Sequence, residues 1–157
     1  MAYCYYLDSP DARLDQTETY DAINALSEFI SMYPESDRIS DCRKMLIEME
    51  DKLAYKELLS ARLYYNLGLY GGNNYRACVT TAENALKDFP ESQYRDDLVF
   101  VILKAKSKEA SLSVEEKKRE RYSEVIDEYY RYANAFPDGK HIKEANRILR
   151  EAKNIVK

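Results

Sequence analysis

Hydrophobic positions in this chain keep register with three of its prolines. At 15, 12, 8 and 5 residues before Pro34 stand Thr19, Ala22, Leu26 and Phe29. The same offsets before Pro90 hold Tyr75, Cys78, Ala82 and Ala85, and before Pro137 Tyr122, Val125, Tyr129 and Tyr132. Steps of three and four residues put each set on one face of a helix, and the faces are small or apolar enough to pack on a partner. Eight, 11, 12 and 15 residues after the prolines lie Cys42, Met45, Leu46 and Met49; Leu98, Val101, Ile102 and Ala105; Ala145, Ile148, Leu149 and Ala152. Each proline therefore separates two amphipathic helices. It disfavours helix at the residue before it and cannot donate the next backbone hydrogen bond.

The local frame repeats as well: Tyr33-Pro34-Glu35-Ser36, Phe89-Pro90-Glu91-Ser92 and Phe136-Pro137-Asp138-Gly139. Ser36 and Ser92 are expected to cap the helices that follow, and the acids to lie near the positive helix N-termini. The pattern predicts a helix tail over about 2–7, a loop through Asp8-Ser9-Pro10 to Asp15, and a helix over 17–32. A long helix follows from about 37 to about 69, ended by the turn residues Gly71-Gly72-Asn73-Asn74. Further helices are expected over about 75–88, 93–111, 114–135 and 140–156. No segment alternates as a strand would. The fold class is therefore all-α, a tetratricopeptide-like α-solenoid of stacked antiparallel helical hairpins, and residues 1–157 are expected to form a single helical-repeat domain with boundaries near Pro34, Pro90 and Pro137.

Composition adds limits. Charged residues are 33% and hydrophobic ones 45% of 157 residues, the balance of a soluble globular chain. A net charge of −4 gives no reason to expect nucleic acid. The basic run Lys117-Lys118-Arg119 is interleaved with Glu115, Glu116 and Glu120 and reads as a solvated helix face. Cys4, Cys42 and Cys78 have neither disulfide-framework nor metal spacing and are expected as buried small hydrophobes. No apolar run approaches a membrane span.

Candidate chemistry is sparse, with no catalytic, cofactor or metal residues assigned. His141 is the one histidine, too few for a histidine metal cluster, and reads as a surface residue at the start of the last helix. Gly71-Gly72 lacks the spacing of a phosphate loop. Glu115-Glu116 suit a helix start better than acid/base work. The 15 tyrosines, with no tryptophan, point instead to interfaces, because tyrosine fills an apolar contact and keeps a hydroxyl in water. Tyr64 and Tyr65 lie about 100° apart on a helix, so one can face the core and the other a groove. Arginines accompany the tyrosine-rich faces. Arg62, Tyr64, Tyr65, Arg95, Tyr130 and Arg131 are the candidate partner-binding residues.

The run from Tyr75 through Cys78, Ala85 and Leu86 to Pro90 resembles the second helix of a tetratricopeptide repeat. Ala61 to Tyr65, with Gly68 and Tyr70, resembles the end of its first helix, although Gly71 to Asn74 lengthen the turn between them. A narrower likeness rests on Thr19, Ala22-Ile23, Phe29-Ile30, Tyr33-Pro34 and Ser36, on Lys52-Leu53-Ala54 and Lys56-Glu57, and on Ala61 with Tyr64-Tyr65. These are similar to outer-membrane assembly lipoproteins of the BamD type, and the third frame, Arg121-Tyr122 to Phe136-Pro137, resembles a later repeat of that family.

The resemblance implies that the chain corresponds to the C-terminal part of a member, with the lipoprotein signal, its acylated cysteine and the first repeats outside this sequence. Cys4 is not that cysteine, since Met-Ala-Tyr precedes it. The opening residues read as a helix already under way, so Tyr3, Tyr5, Tyr6 and Leu7 are expected to be partly exposed or set against another copy. The resemblance further implies a non-enzymatic periplasmic scaffold at the outer membrane, reaching the membrane only through its lipid anchor. Its implied partners are the periplasmic repeats of the β-barrel insertase, other assembly lipoproteins and unfolded outer-membrane proteins. A different tetratricopeptide adaptor, either a periplasmic cell-envelope coordinator or a cytosolic peptide-binding module, shares the proline frame and stays open. An enzyme would need a site built from scattered Asp, Glu, Lys and Tyr.

Overall fold

The computed structural model describes residues 1–157. The chain is all-α, with helices α1 (Ala2–Asp8), α2 (Thr17–Met32), α3 (Ile39–Leu67), α4 (Asn74–Asp88), α5 (Arg95–Ser111), α6 (Glu115–Ala135) and α7 (Ile142–Val156). It divides into two compact units, Met1–Lys56 and Glu57–Lys157, and the division falls within α3.

The three proline frames fold alike. Tyr33, Phe89 and Phe136 end their helices with φ near −130° and ψ near 60°: −130/59, −127/64 and −135/66. Each aromatic N–H still bonds back four residues, to Phe29, Ala85 and Tyr132. Its carbonyl then accepts the N–H of Ser36, Ser92 or Gly139, and the carbonyl of that small residue accepts the N–H of Ile39, Arg95 or Ile142, where the next helix begins. The serines are thus not helix caps. Each sits one short turn earlier, where Ser36 Oγ accepts the Arg38 N–H at 3.2 Å and Ser92 Oγ the Tyr94 N–H at 3.1 Å. That two-residue side-chain turn is one that serine makes readily.

In the first unit α1 packs on α2. α1 buries no side chain fully, and Tyr3, Tyr5 and Leu7 are exposed while Tyr6 is half-buried. The loop between them is held by Gln16, whose amide donates to the carbonyls of Asp11 and Leu14, while its Oε1 accepts the buried Thr19 hydroxyl at 2.7 Å. Lys52 Nζ reaches Ser9 Oγ at 2.7 Å. These bonds satisfy polar groups that burial would otherwise penalise.

In the second unit α4 packs on α5, α5 on α6 and α6 on α7, with α5 also touching α7. This chain-order stacking is that of a tetratricopeptide-like α-solenoid. Leu98 to Leu103 are all buried, as expected of a helix with neighbours all round. Its partners bury one stripe each, the stripes read from the sequence: Tyr75, Cys78, Ala82 and Ala85 on α4, Tyr122, Val125 and Tyr132 on α6, Ala145, Ile148 and Ala152 on α7. α3 stops at Leu67 because Gly68 adopts φ +57°, and a Cβ there would stand 2.8 Å from the Tyr75 hydroxyl.

Gly139 is small for a different reason. Its Cβ would lie 2.5 Å from the Tyr132 hydroxyl. That hydroxyl donates to Asp96 Oδ1 at 2.7 Å and accepts the His141 N–H at 3.2 Å, the bond that serine makes in the other two frames. Burial and the bond to Asp96 push the phenol above its ordinary pKa. Tyr132→Phe is expected to lower unfolding free energy by about 1–2 kcal/mol in urea titration, since it leaves a part-buried N–H without its acceptor and Asp96 without its donor.

The cysteines depart in part from expectation. Cys78 is buried, Cys42 half-buried and Cys4 exposed, on a helix that buries no side chain fully. Burial pushes the Cys78 thiol up to about 11. A maleimide at neutral pH should label Cys4 fast, Cys42 slowly and Cys78 only in denaturant, read by mass spectrometry of peptides.

Candidate functional site

Within the second unit a cleft of about 290 Å³ lies against the C-terminal part of α3, α5 and the start of α7. Its floor is aromatic. The His141 ring lies flat on Phe100, centroids 4.2 Å apart and planes within 5°. Tyr65 meets Tyr75 edge-on at 5.8 Å, and Lys104 Nζ stands 4.9 Å over the Tyr65 ring and 5.8 Å over Phe100. A second cleft of about 290 Å³ shares Tyr65, Lys104 and Glu144 with the first and continues past Tyr122 and Arg147. The two make one groove, lined mainly by α3, α5 and α7, each of which follows a proline frame, with Tyr122 added from α6.

Asp97 anchors one end. It is buried, 6% exposed, and its carboxylate accepts Lys140 Nζ at 2.6 Å and pairs with His141 Nε2 at 2.9 Å and Arg62 at 3.4 Å. Burial alone would raise this carboxyl. The bonds and charges of Lys140 and His141 outweigh burial and hold it below the usual carboxylate range. Asp96, its neighbour, serves the other side of the same corner by accepting Tyr132 and the Lys140 N–H. The two aspartates clamp the α6–α7 turn to the first turn of α5. Where the two clefts meet, Glu144 lies 3.9 Å from Lys104. Cations, carboxylates and flat rings line the groove together, a mixture suited to an extended polypeptide, whose backbone and side chains offer partners for all three.

The candidate residues from the sequence divide. Arg62 and Tyr65 line the groove. Tyr64, the neighbour of Tyr65, is half-buried. Arg95 stands 5.9 Å over the Phe136 ring, at the third frame. Tyr130 and Arg131 lie on α6: Tyr130 is exposed against Tyr129, with Lys153 5.8 Å from its ring, and Arg131 pairs with the buried Glu128 at 3.1 Å. The groove therefore gathers two of the six.

Asp97 and Lys104 carry no expectation from the sequence, and His141 only that of a surface residue. His141 is no plain surface residue: stacking on Phe100 and a hydrogen bond to Asp97 hold it half-buried. Its partner Asp97 is 44 positions away in sequence, so no local pattern marks the pair. The one signal available was that Asp97 and Phe100 stand three apart on the face of a helix start.

Asp97→Asn is expected to cost about 1–3 kcal/mol at pH 7, since it removes a buried charge paired with the half-exposed cations Lys140 and Arg62 and hydrogen-bonded to His141. Because the folded carboxyl titrates below its unfolded value, that stabilisation is complete above about pH 4 and disappears as pH falls through the folded pKa. Urea titrations should show the gap between the two proteins closing only at acid pH.

Residues 3–73 match the family model described as YfiO, outer membrane lipoprotein. A relative, the outer membrane protein assembly factor BamD of Caulobacter vibrioides, is 33% identical over 67 residues, covering 43% of this chain and 22% of that protein. The chain thus spans about a fifth of the length of the curated relative it matches. The matched stretch takes in the first proline frame, all of α3 and the Gly71-Gly72 turn. Over residues 3–73 the chain is thus similar to outer-membrane assembly lipoproteins of the BamD type.

Proposed function

We propose that residues 1–157 act as one helical-repeat domain, with boundaries near Pro34, Pro90 and Pro137, in a non-enzymatic scaffold of the outer-membrane β-barrel assembly machinery. The match of residues 3–73 to the outer membrane lipoprotein family carries this reading. The groove adds support, since its mixture of rings and paired charges suits protein contact. The scaffold works on the periplasmic face of the outer membrane. Its partners are the insertase's periplasmic repeats, other assembly lipoproteins and unfolded barrel proteins. Arg62 and Tyr65 contact them in the groove, with Tyr64 beside it, while Arg95, Tyr130 and Arg131 form contacts outside it.

A second reading, a tetratricopeptide adaptor of another kind, is favoured by one observation. The second and third frames, at Pro90 and Pro137, lie beyond the matched stretch, and such frames occur in other adaptors.

Titrating the folded chain with the insertase's periplasmic repeats discriminates the two. Saturable binding is expected, weakened about tenfold or more by Arg62→Ala with Tyr65→Ala, the loss typical of removing two interface anchors. A helical, folded sample that does not bind the repeats would favour the other adaptor.

A further inference from the structure

Glu109, near the end of α5, ties two hairpin turns together. Its carboxylate accepts Asn73 Nδ2 at 2.8 Å and Arg76 Nε at 3.0 Å, both from the α3–α4 side, and lies 3.6 Å from Arg121 of α6. Arg121 also donates to Ser113 Oγ in the α5–α6 turn, and Ser113 Oγ donates to the Glu109 carbonyl. Burial would raise the Glu109 carboxyl, but these partners keep it ionised below the usual range. The turn at 68–73 and the turn at 112–114 are therefore fixed side by side at one end of the second unit.

Both turns carry large apolar side chains in water. Leu69 is 57% and Tyr70 84% exposed in the first, and Leu112 51% and Val114 62% in the second. The helix leading to the first turn adds exposed Leu63 and Leu67, one turn apart. The charge at this end opposes that of the chain. Residues 58–82 hold Arg62 and Arg76 and no acid, and residues 104–121 hold seven cations against four carboxylates, in a chain of net charge −4.

We propose that this edge is a contact surface for an anionic lipid bilayer. Turn side chains this exposed favour a bilayer over a folded protein. They enter a deformable interface without matching pockets, whereas a protein partner would need a cavity for each. Tyr70 places its ring among acyl chains and its hydroxyl among headgroups. The surrounding cations, Lys108 and Lys117 among them, complement lipid phosphates. No helix of the chain is long and apolar enough to cross a membrane; the contact is with the bilayer surface. It does not depend on the scaffold reading.

The test is co-sedimentation of the full chain with vesicles of phosphatidylglycerol and phosphatidylcholine, against phosphatidylcholine alone. Binding to the anionic vesicles and its suppression by salt are expected. Leu69→Ser with Tyr70→Ser should weaken it about tenfold or more, and Lys108→Gln with Lys117→Gln about tenfold, both with helicity unchanged because all four residues are exposed. The chain has no tryptophan, so Tyr70→Trp reports insertion directly, by a blue-shifted emission on adding anionic vesicles. No sedimentation with anionic vesicles, equal sedimentation with phosphatidylcholine alone, or an unshifted emission overturns the proposal; in the first case an acidic protein surface would be the partner to seek.

Discussion

Pro34, Pro90 and Pro137 each lack the N–H that would continue the helix before them, and each forces the preceding aromatic out of helical geometry. The rest of the architecture depends on that local constraint. The aromatic takes nearly the same φ/ψ in all three frames, and two successive three-residue turns bring the chain into the next helix. Because the turn is the same each time, the helices before and after it present their apolar stripes at the same offsets. The groove is a consequence, since Asp97, Lys104 and Glu144 all lie on helices launched by this turn.

The third frame shows how one requirement can be met by different residues. The turn needs an acceptor for the N–H two residues past its small residue. Ser36 and Ser92 supply it from within the frame, while the third frame has Gly139 and draws the acceptor from Tyr132, on the preceding helix. The exchange couples positions: once the tyrosine hydroxyl occupies that space, a side chain at 139 has no room. It also joins the turn to Asp96, and through the adjacent Asp97 to the groove. The residue that completes the fold at this corner thus also holds His141 and Lys140 where they border the candidate site.

Much of the fold was legible because its signals are local. Helix periodicity, proline and the Gly-Gly turn act within a few residues, so element ends fell within about two residues of those observed, and no stripe position turned out exposed. The misses were those that needed a partner. The serines looked like caps because cap and pre-helical turn share the same residue types. Cys4 looked buried because its neighbours are apolar, although α1 buries nothing fully. Arg62 and Tyr65 were chosen for their chemistry, and so were Arg95, Tyr130 and Arg131. Chemistry alone could not separate those on the groove from those beside Phe136 or on α6.

The sequence by itself determined where helices start, stop and turn their apolar faces, because backbone geometry at proline and glycine and the 3.6-residue period depend on near neighbours alone. It also carried the family likeness of residues 3–73. Only the tertiary structure decided which polar side chains meet. Asp97 with His141 and Lys140, Tyr132 with Asp96, and Glu109 with Asn73 and Arg76 are separated by 33 to 44 positions. Charge and hydrogen bonding act over a few ångströms of space, and it is the stacking of the helices that brings such distant positions within that range.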